Sequence, residues 1–299
     1  MAGTKEIKDH IDSVQETKKI TSAMYLIAST KLRRARQELD NTRPYFEALR
    51  GEIKRIFRTA NDVDSRYFFP TGDDTPLEGT YGCLVITADK GLAGAYNQNA
   101  IRRALELLEQ HPDTKLFVVG EYGRRYFAQR QIPIEHSFLY TAQNPTMARA
   151  REISALLLDG YDRGELKQIF VVYTDMASAM SFQARSTRLL PFHRTYFAPP
   201  DGERAVTEPF EFLPSVTAVL DSMMASYVSG FIYSALIDSF CCEQNARMTA
   251  MDSANQNAEG LLGELSLQYN RVRQSGITQE ITEISAGAAA QRQKHRKDR

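Results

Sequence analysis

LPSVTAVLDSMMASYVSGFIYSALIDSFCCEQNARMTAMDSANQNAEGLLGELSLQYNRV, residues 213–272, is the stretch whose reading decides the fold. Leu213, Val216, Leu220, Met223, Tyr227, Gly230, Ser234, Ile237, Cys241, Gln244, Met248, Met251, Asn255, Ala258, Leu262, Leu265, Tyr269 and Val272 keep a strict 3,4 spacing, and fourteen of these eighteen are apolar. Such spacing is the seam of a coiled coil, because 3.5 residues per turn holds one face against a partner helix. Pro214 sits where a helix start tolerates a proline, and none follows it. After Val272 the stripe steps on by one residue and resumes as Ile277, Ile281, Ile284 and Ala288, a shift that changes local winding.

The other end of the chain has the same grammar. Ile7, Ile11, Val14, Lys18, Thr21, Tyr25, Ala28, Leu32, Ala35 and Leu39 alternate by four and three, with Lys18 and Thr21 as the two polar interruptions. Ile20, Met24 and Ile27 form a second short stripe beside it. Pro44 disfavours helix at Arg43 and predicts a kink, after which Phe46, Leu49, Ile53 and Ile56 carry the pattern to about residue 58.

Between the two rods the pattern is α/β. CLVITA (83–88), LFVVG (116–120) and IFVVYT (169–174) are short β-rich runs, and helical stretches are predicted near 95–110, 121–131 and 146–160. The spacing of the first two runs suits a βαβ crossover. PTGDDTPLEG (70–79) and APPDGE (198–203) read as linkers. The expected organisation is an N-terminal helix over 1–60, an α/β domain over 78–200, a C-terminal helix over 210–290 and a basic tail over 291–299. The fold class is therefore α/β, a long antiparallel coiled coil of the two terminal helices with a central Rossmann-like domain.

Composition narrows the function. Apolar residues are 42% and charged residues 25% of 299, ordinary for a globular chain. Lys plus Arg and Asp plus Glu both number 37, so bulk charge does not seek nucleic acid. The zero is a sum of unequal parts: residues 1–58 carry +5, 59–209 carry −3, 210–290 carry −6 and the last nine +4. No run of about 18 apolar residues predicts a membrane span, and MAGTKEIKDHID lacks the apolar core of a secretory leader. Cys83, Cys241 and Cys242 are too few for a disulfide framework and fit a reducing compartment.

The rods differ in length, about 55 residues against about 77. Folded back on each other, they leave on the order of 30 Å of unpaired helix at 1.5 Å per residue. That overhang, roughly residues 268–290, carries Ile277, Ile281, Ile284 and GAAA at 287–290. An isolated apolar stripe is sticky in water, so a second copy or a foreign sleeve should enclose it.

Catalytic constellations are missing from the sequence. The five histidines lie at no metal-ligand spacing, and neither GxxxxGK[ST] nor GxGxxG occurs. Cys241 and Cys242 are adjacent on a helix, about 100° apart, and read as packing residues. ADKGLAGAYN (88–97) follows a strand and enters a helix. It reads either as an anion cradle or as a tight turn capped by Asp89 or Asn97, with the turn favoured. KLRRAR (31–36) reads as a solvated or protein-docking face rather than a nucleic-acid patch.

Four blocks in this order resemble the gamma subunit of the F-type rotary ATP synthase: IKDHIDSVQETKKITSAMYLIASTKLRRAR (7–36), DKGLAGAYN (89–97), NARMTAMDSANQNA (245–258) and YNRVRQSGITQEITEISAGAAA (269–290). The resemblance covers nearly the whole chain and implies a central shaft inside a ring of three alpha and three beta subunits. It implies an α/β domain docked, with an epsilon subunit, on a membrane c-ring. Catalysis is expected in the beta subunits, so no catalytic residue, cofactor, metal or nucleic acid is implied here. The expected location is the cytoplasmic face of the cell membrane, peripheral and through the complex only.

The resemblance also implies roles. Met24 would face the beta subunits' acidic lever, with Arg33, Arg34 and Arg36 bringing positive charge to the same region. Arg247, Gln274, Thr278 and Glu283 would be coupled to Met24 in transmitting rotation. Arg273 with Gln274 would touch a beta-subunit catch loop, and Asp89 and Lys90 would belong to a turn near the base of the shaft. The chain departs from the family pattern at Gly276, at Ala93 where a cysteine is common, and in the tail QRQKHRKDR. It has no cysteine-bearing insertion near 196–210, which excludes the thiol-regulated chloroplast type and suggests a divergent bacterial member. A static coiled-coil adaptor with an α/β docking domain is the alternative class. A third is an enzyme using the 88–97 loop for a phosphorylated ligand.

Overall fold

A computed structural model describes residues 3–59, 65–69, 77–139, 142–178, 181–193, 197 and 212–297. The elements are α1 (Thr4–Thr59), β1 (Tyr81–Ile86), α2 (Tyr96–Gln110), β2 (Thr114–Val119), α3 (Glu121–Gln129), β3 (His136–Phe138), α4 (Met147–Asp162), β4 (Gln168–Ser178), β5 (Ser181–Leu190) and α5 (Val216–Lys297). Long helices at both ends and an α/β middle are as the periodicities predict. Pro44 lies inside α1, which runs through it as one helix. The linker 198–203 and most of 70–79 fall outside the described residues. Among the described residues, no helix is long and apolar enough to cross a membrane.

The chain divides into two compact units, Met1–Ile27 with Met248–Arg299, and Ala28–Arg247. In the first, the two helical segments run antiparallel. Lys18 Nζ pairs with Glu259 Oε1 at 2.7 Å, and Ser22 Oγ donates to Asn255 Oδ1 at 3.3 Å. Thr21 Oγ1 donates to the same Asn255 oxygen. The two polar interruptions of the N-terminal stripe therefore meet polar partners, and Asn255 is the polar member of the facing stripe within this unit. From 256 to 272 the covered residues of α5 are Ala258, Leu262, Leu265, Tyr269 and Val272, all members of the predicted seam. The second stripe behaves differently: Ile20 and Ile27 are 62% and 56% exposed, and Met24 between them is half-buried.

In the second unit a five-stranded sheet has the order β3-β2-β1-β4-β5. β1 is parallel to β2 and β4, β2 is parallel to β3, and β5 closes the edge antiparallel to β4. Cys83, Val85, Leu116, Val118 and Val172 pack on Ile101, Ala104 and Leu107 of α2 and Phe127 of α3. This is the core of a Rossmann-like domain, with the helices as crossovers. Two strands were not legible in the sequence. β3 has three residues, and β5 reads SFQARSTRLL, a polar edge strand without a continuous apolar run.

The unit's own stretches of α1 and α5 also pair antiparallel. Thr42 bonds to Tyr233, and Phe46 lies on Gly230. A Cβ on Gly230 would sit 1.9 Å from Phe46 Cε1, so the glycine in the seam is the seat of that ring. Ile53, Ile232, Leu236 and Ile237 are 0–2% exposed. Phe57, Phe68, Phe192, Phe197 and Tyr227 add a cluster of edge-to-face and stacked rings. Leu213, predicted to begin the seam, is instead 82% exposed, because α5 starts only at Val216.

Candidate functional site

Three side chains, Thr87, Asp89 and Asn97, hold the loop between β1 and α2. Gly120 ends β2 at φ 96°, and a Cβ there would lie 2.2 Å from Thr87 O, so only glycine lets α3 start this close to the loop. Thr87 Oγ1 donates to Val119 O at 2.8 Å and accepts from Gly123 N at 3.0 Å. Asp89 Oδ1 accepts from Glu121 N at 2.9 Å, placing a carboxylate at the N-terminal end of α3. Asn97 Oδ1 accepts from Ala88 N at 2.9 Å, and its Nδ2 donates to Lys90 O at 3.4 Å. The turn reading of ADKGLAGAYN is thus the one the geometry supports. Asp89 caps α3, however, while α2 has Ala95 at its N-cap and no side-chain cap bond.

The fourth tie comes from α5. Arg247, 9% exposed, donates from Nη1 to Glu243 Oε1 at 2.6 Å and from Nη2 to Gly91 O at 3.1 Å. Glu243 is 6% exposed. Burial pushes its carboxyl above the ordinary value, and the Arg247 guanidinium opposes that rise. Tyr96, bonded to Ser239 and packed with Ala88, Ala93 and Cys242, has its phenol pushed far up by the same burial. Loop and helix meet through a charged bond, a carbonyl contact and a small apolar cluster. Leu92, at the turn itself, is left-handed at φ 61° and 64% exposed. A branched side chain in that region is strained and is presented to solvent.

The expected coupling residues separate into groups. Arg33, Arg34 and Arg36 are exposed on α1 around the buried Leu32 and Ala35, and Arg34 Nε pairs with Glu38 at 3.1 Å. Arg247 is brought to the Asp89–Lys90 turn through Gly91, a contact no spacing argument proposed. Met24 lies in the other unit, as do Arg273, Gln274, Thr278 and Glu283. Those four are exposed; Thr278 Oγ1 donates to Gln274 O at 2.9 Å, and Glu283 accepts from Gln279 at 2.9 Å. The overhang is a matter of exposure along one helix. Every residue from Arg273 to Ala288 is exposed, with Ile277, Ile281 and Ile284 at 48%, 59% and 73%.

Glu243 is the residue sequence reasoning missed. Its signal was the i,i+4 spacing of Glu243 and Arg247 in a segment otherwise poor in charge. The cysteines pack as read: Cys83, Cys241 and Cys242 are buried free thiols, and burial pushes Cys83 and Cys241 up to about 12. Cys242 Sγ contacts Thr174 O at 3.6 Å. Among the described residues no group of His, Cys, Asp or Glu is arranged to hold a metal ion.

Comparison with known proteins converges. A family model described as ATP synthase matches residues 3–291. The ATP synthase gamma chain of Ruminiclostridium cellulolyticum is 39% identical over 289 residues, covering 96% of this chain and 98% of that one. The ATP synthase gamma chain of Caldanaerobacter subterraneus subsp. tengcongensis is 40% identical, covering 96% and 99%. In fold, the chain is similar to one in the cryo-EM structure of the Euglena gracilis mitochondrial ATP synthase OSCP/F1/c-ring, with TM-score 0.67, 18% identity and coverage of 96% and 94%. With a family match along almost its whole length and relatives of this identity, the chain belongs to the ATP synthase gamma chain family.

Proposed function

We propose that this chain is the central rotor shaft of a proton- or sodium-translocating F-type ATP synthase, with residues 1–60 and 210–290 as the shaft and 78–200 as its globular part. The observation that carries the reading is the terminal stretch of α5, a helix exposed on all sides from Arg273 to Ala288 yet striped with isoleucines. Such a stripe needs an enclosing surface. A ring of three alpha and three beta subunits is a sleeve of that kind, and the helix turning inside it presents a different face to each beta subunit in succession.

The chain's own part is mechanical and not catalytic. Arg33, Arg34 and Arg36 offer exposed positive charge to the acidic lever of a beta subunit, with Met24 in the same contact. Charge complementarity suits a contact that must form and release, since long-range attraction steers association without the grip of a desolvated apolar patch. Arg273 and Gln274 meet a catch loop, while Thr278 and Glu283 act with them and with Met24 and Arg247. The globular part, with its Asp89–Lys90 turn, docks with an epsilon subunit on the membrane c-ring. The chain is then peripheral, at the cytoplasmic face of the cell membrane.

The test is recovery of the native complex through a tag on this chain. Two larger nucleotide-binding subunits in threefold excess are expected; a clean homodimer without them overturns the reading. Reversal of Arg33, Arg34 and Arg36 to glutamate should lower ATPase rate or coupling several-fold while assembly persists. Unchanged rates would remove these arginines from the contact.

A further inference from the structure

We infer that Glu243 is a positioning residue for rotary coupling: its carboxylate holds the Arg247 guanidinium on the Gly91 carbonyl and so latches the 88–97 loop to α5. The coupling half of this inference rests on the function proposed above; the latch itself rests on the geometry of one compact unit.

Three observations carry it. First, the guanidinium bridges two segments far apart in sequence, with 2.6 Å to Glu243 on its own helix and 3.1 Å to Gly91 in the loop. Arginine's planar fork can satisfy both with one rigid group, while a lysine ammonium is a point charge on a flexible stem. Second, the pair is enclosed, at 8% and 11% side-chain exposure. A charge pair in such surroundings persists only if its geometry is kept, so it resists sliding where a surface pair would not. Third, the other ties of the loop lie to either side of Gly91. Asp89 is fixed to α3, Asn97 holds Ala88 and Lys90, and Ala93 and Tyr96 pack on Cys242, while at Gly91 itself the tie to the long helix is the Arg247 bond, next to the strained, exposed Leu92.

The consequence is mechanical. Torque carried by α5 reaches the 88–97 turn at a point fixed by two directional bonds instead of by apolar packing, which tolerates rotation about the contact. Glu243 bonds to Arg247, which bonds to the loop, and its role is to aim that guanidinium. Gln at 243 keeps the size and loses the charge; Asp keeps the charge and shortens the reach by one methylene.

Hydrogen–deuterium exchange on the full chain, followed at the 88–97 amides, reads the latch without any partner. In Glu243→Gln, exchange of the hydrogen-bonded Ala88 and Tyr96 amides should speed by about tenfold or more, while β1, β2 and the rest of α2 stay protected. Unchanged loop exchange overturns the latch. In the assembled complex in inverted vesicles, the same variant should lower ATP-driven ion pumping per ATP hydrolysed several-fold. Glu243→Asp should recover part of both effects. The charge swap Glu243→Arg with Arg247→Glu should recover neither, because a carboxylate at 247 cannot donate to Gly91. A faster loop with full pumping leaves the latch standing and overturns its part in coupling. A swap that restores both readouts shows that the ion pair alone matters and overturns the latch. Failure of the wild-type chain to enter any such complex overturns the functional reading, and the exchange experiment still decides the latch.

Discussion

α5 is one helix with one heptad grammar and two opposite fates. From Leu220 to Arg247 its buried residues include Met224, Val228, Ile232, Leu236, Phe240 and Cys242, which lie on several faces of the helix. From Arg273 to Ala288 nothing is covered, though Ile277, Ile281 and Ile284 keep the apolar spacing. The difference teaches that periodicity specifies a helix with a greasy side but does not say what covers it. In the first stretch the cover is this chain's own sheet and N-terminal helix. In the second, nothing among the described residues covers it.

The sharpest way to break the contrast is to truncate one buried and one exposed side chain of similar size. Leu236→Ala should cost about 2–5 kcal/mol, the range for removing a fully enclosed aliphatic group, measured by urea unfolding of the isolated chain. Ile284→Ala should leave that midpoint within about 0.5 kcal/mol, while weakening retention in the complex. An equal loss from both variants in the isolated chain would mean that the overhang is packed.

Two glycines of the same helix give the next test. Gly230→Val pushes a side chain into the Phe46 ring and should destabilise by about 1–3 kcal/mol, as overpacking does. Gly276 has no atom within 4 Å of its missing Cβ. Gly276→Ala should therefore gain up to ~1 kcal/mol of helix stability, read as a rise in helical circular dichroism. If Gly230→Val is silent, the close approach of the helices is wrong.

An intermediate effect concerns acid. Asp238 on α5 lies near Asp175 of β4, and burial followed by that second carboxylate lifts its carboxyl from 3.8 to about 6, against the pull of Arg43. The folded state thus binds a proton at a pH where the unfolded chain has released it. The stability this proton confers is present below about 4 and is lost as pH rises through about 6. Asp238→Asn should raise stability at pH 8 by about 1–2 kcal/mol and flatten the fall between pH 4 and pH 7, measured by denaturation across that range. The smallest effect is expected at Lys18→Met: its ion pair with Glu259 is exposed, so a change within about 1 kcal/mol that shrinks with salt is the outcome.

Much of this was legible in the sequence, and the reasons are particular. All ten N-terminal seam positions from Ile7 to Leu39 are covered, because a seam is a property of spacing alone. β1, β2 and β4 were legible because strands buried on both faces read as apolar runs. β5 was not, since an edge strand has no such run. Pro44 lies inside α1 without ending it, and Ile53 and Ile56 are buried downstream as the continued stripe predicts. Asp89 was seen as a cap, but which helix it caps depends on the approach of α3, 32 residues away in sequence.

The sequence by itself determined the two long helices, their polar interruptions, the α/β middle, the unequal lengths and the charge asymmetry that lies under a net charge of zero. These follow from local periodicity and from counting, which need no partner. Only the tertiary structure decided that Arg247 reaches Gly91, that Glu243 is its buried counter-ion, and that Gly230 seats Phe46. It also decided that Asp238 shares its surroundings with Asp175. Each of these depends on burial and on distance between segments remote in the chain, and a charge or a glycine acquires its meaning only from what stands beside it.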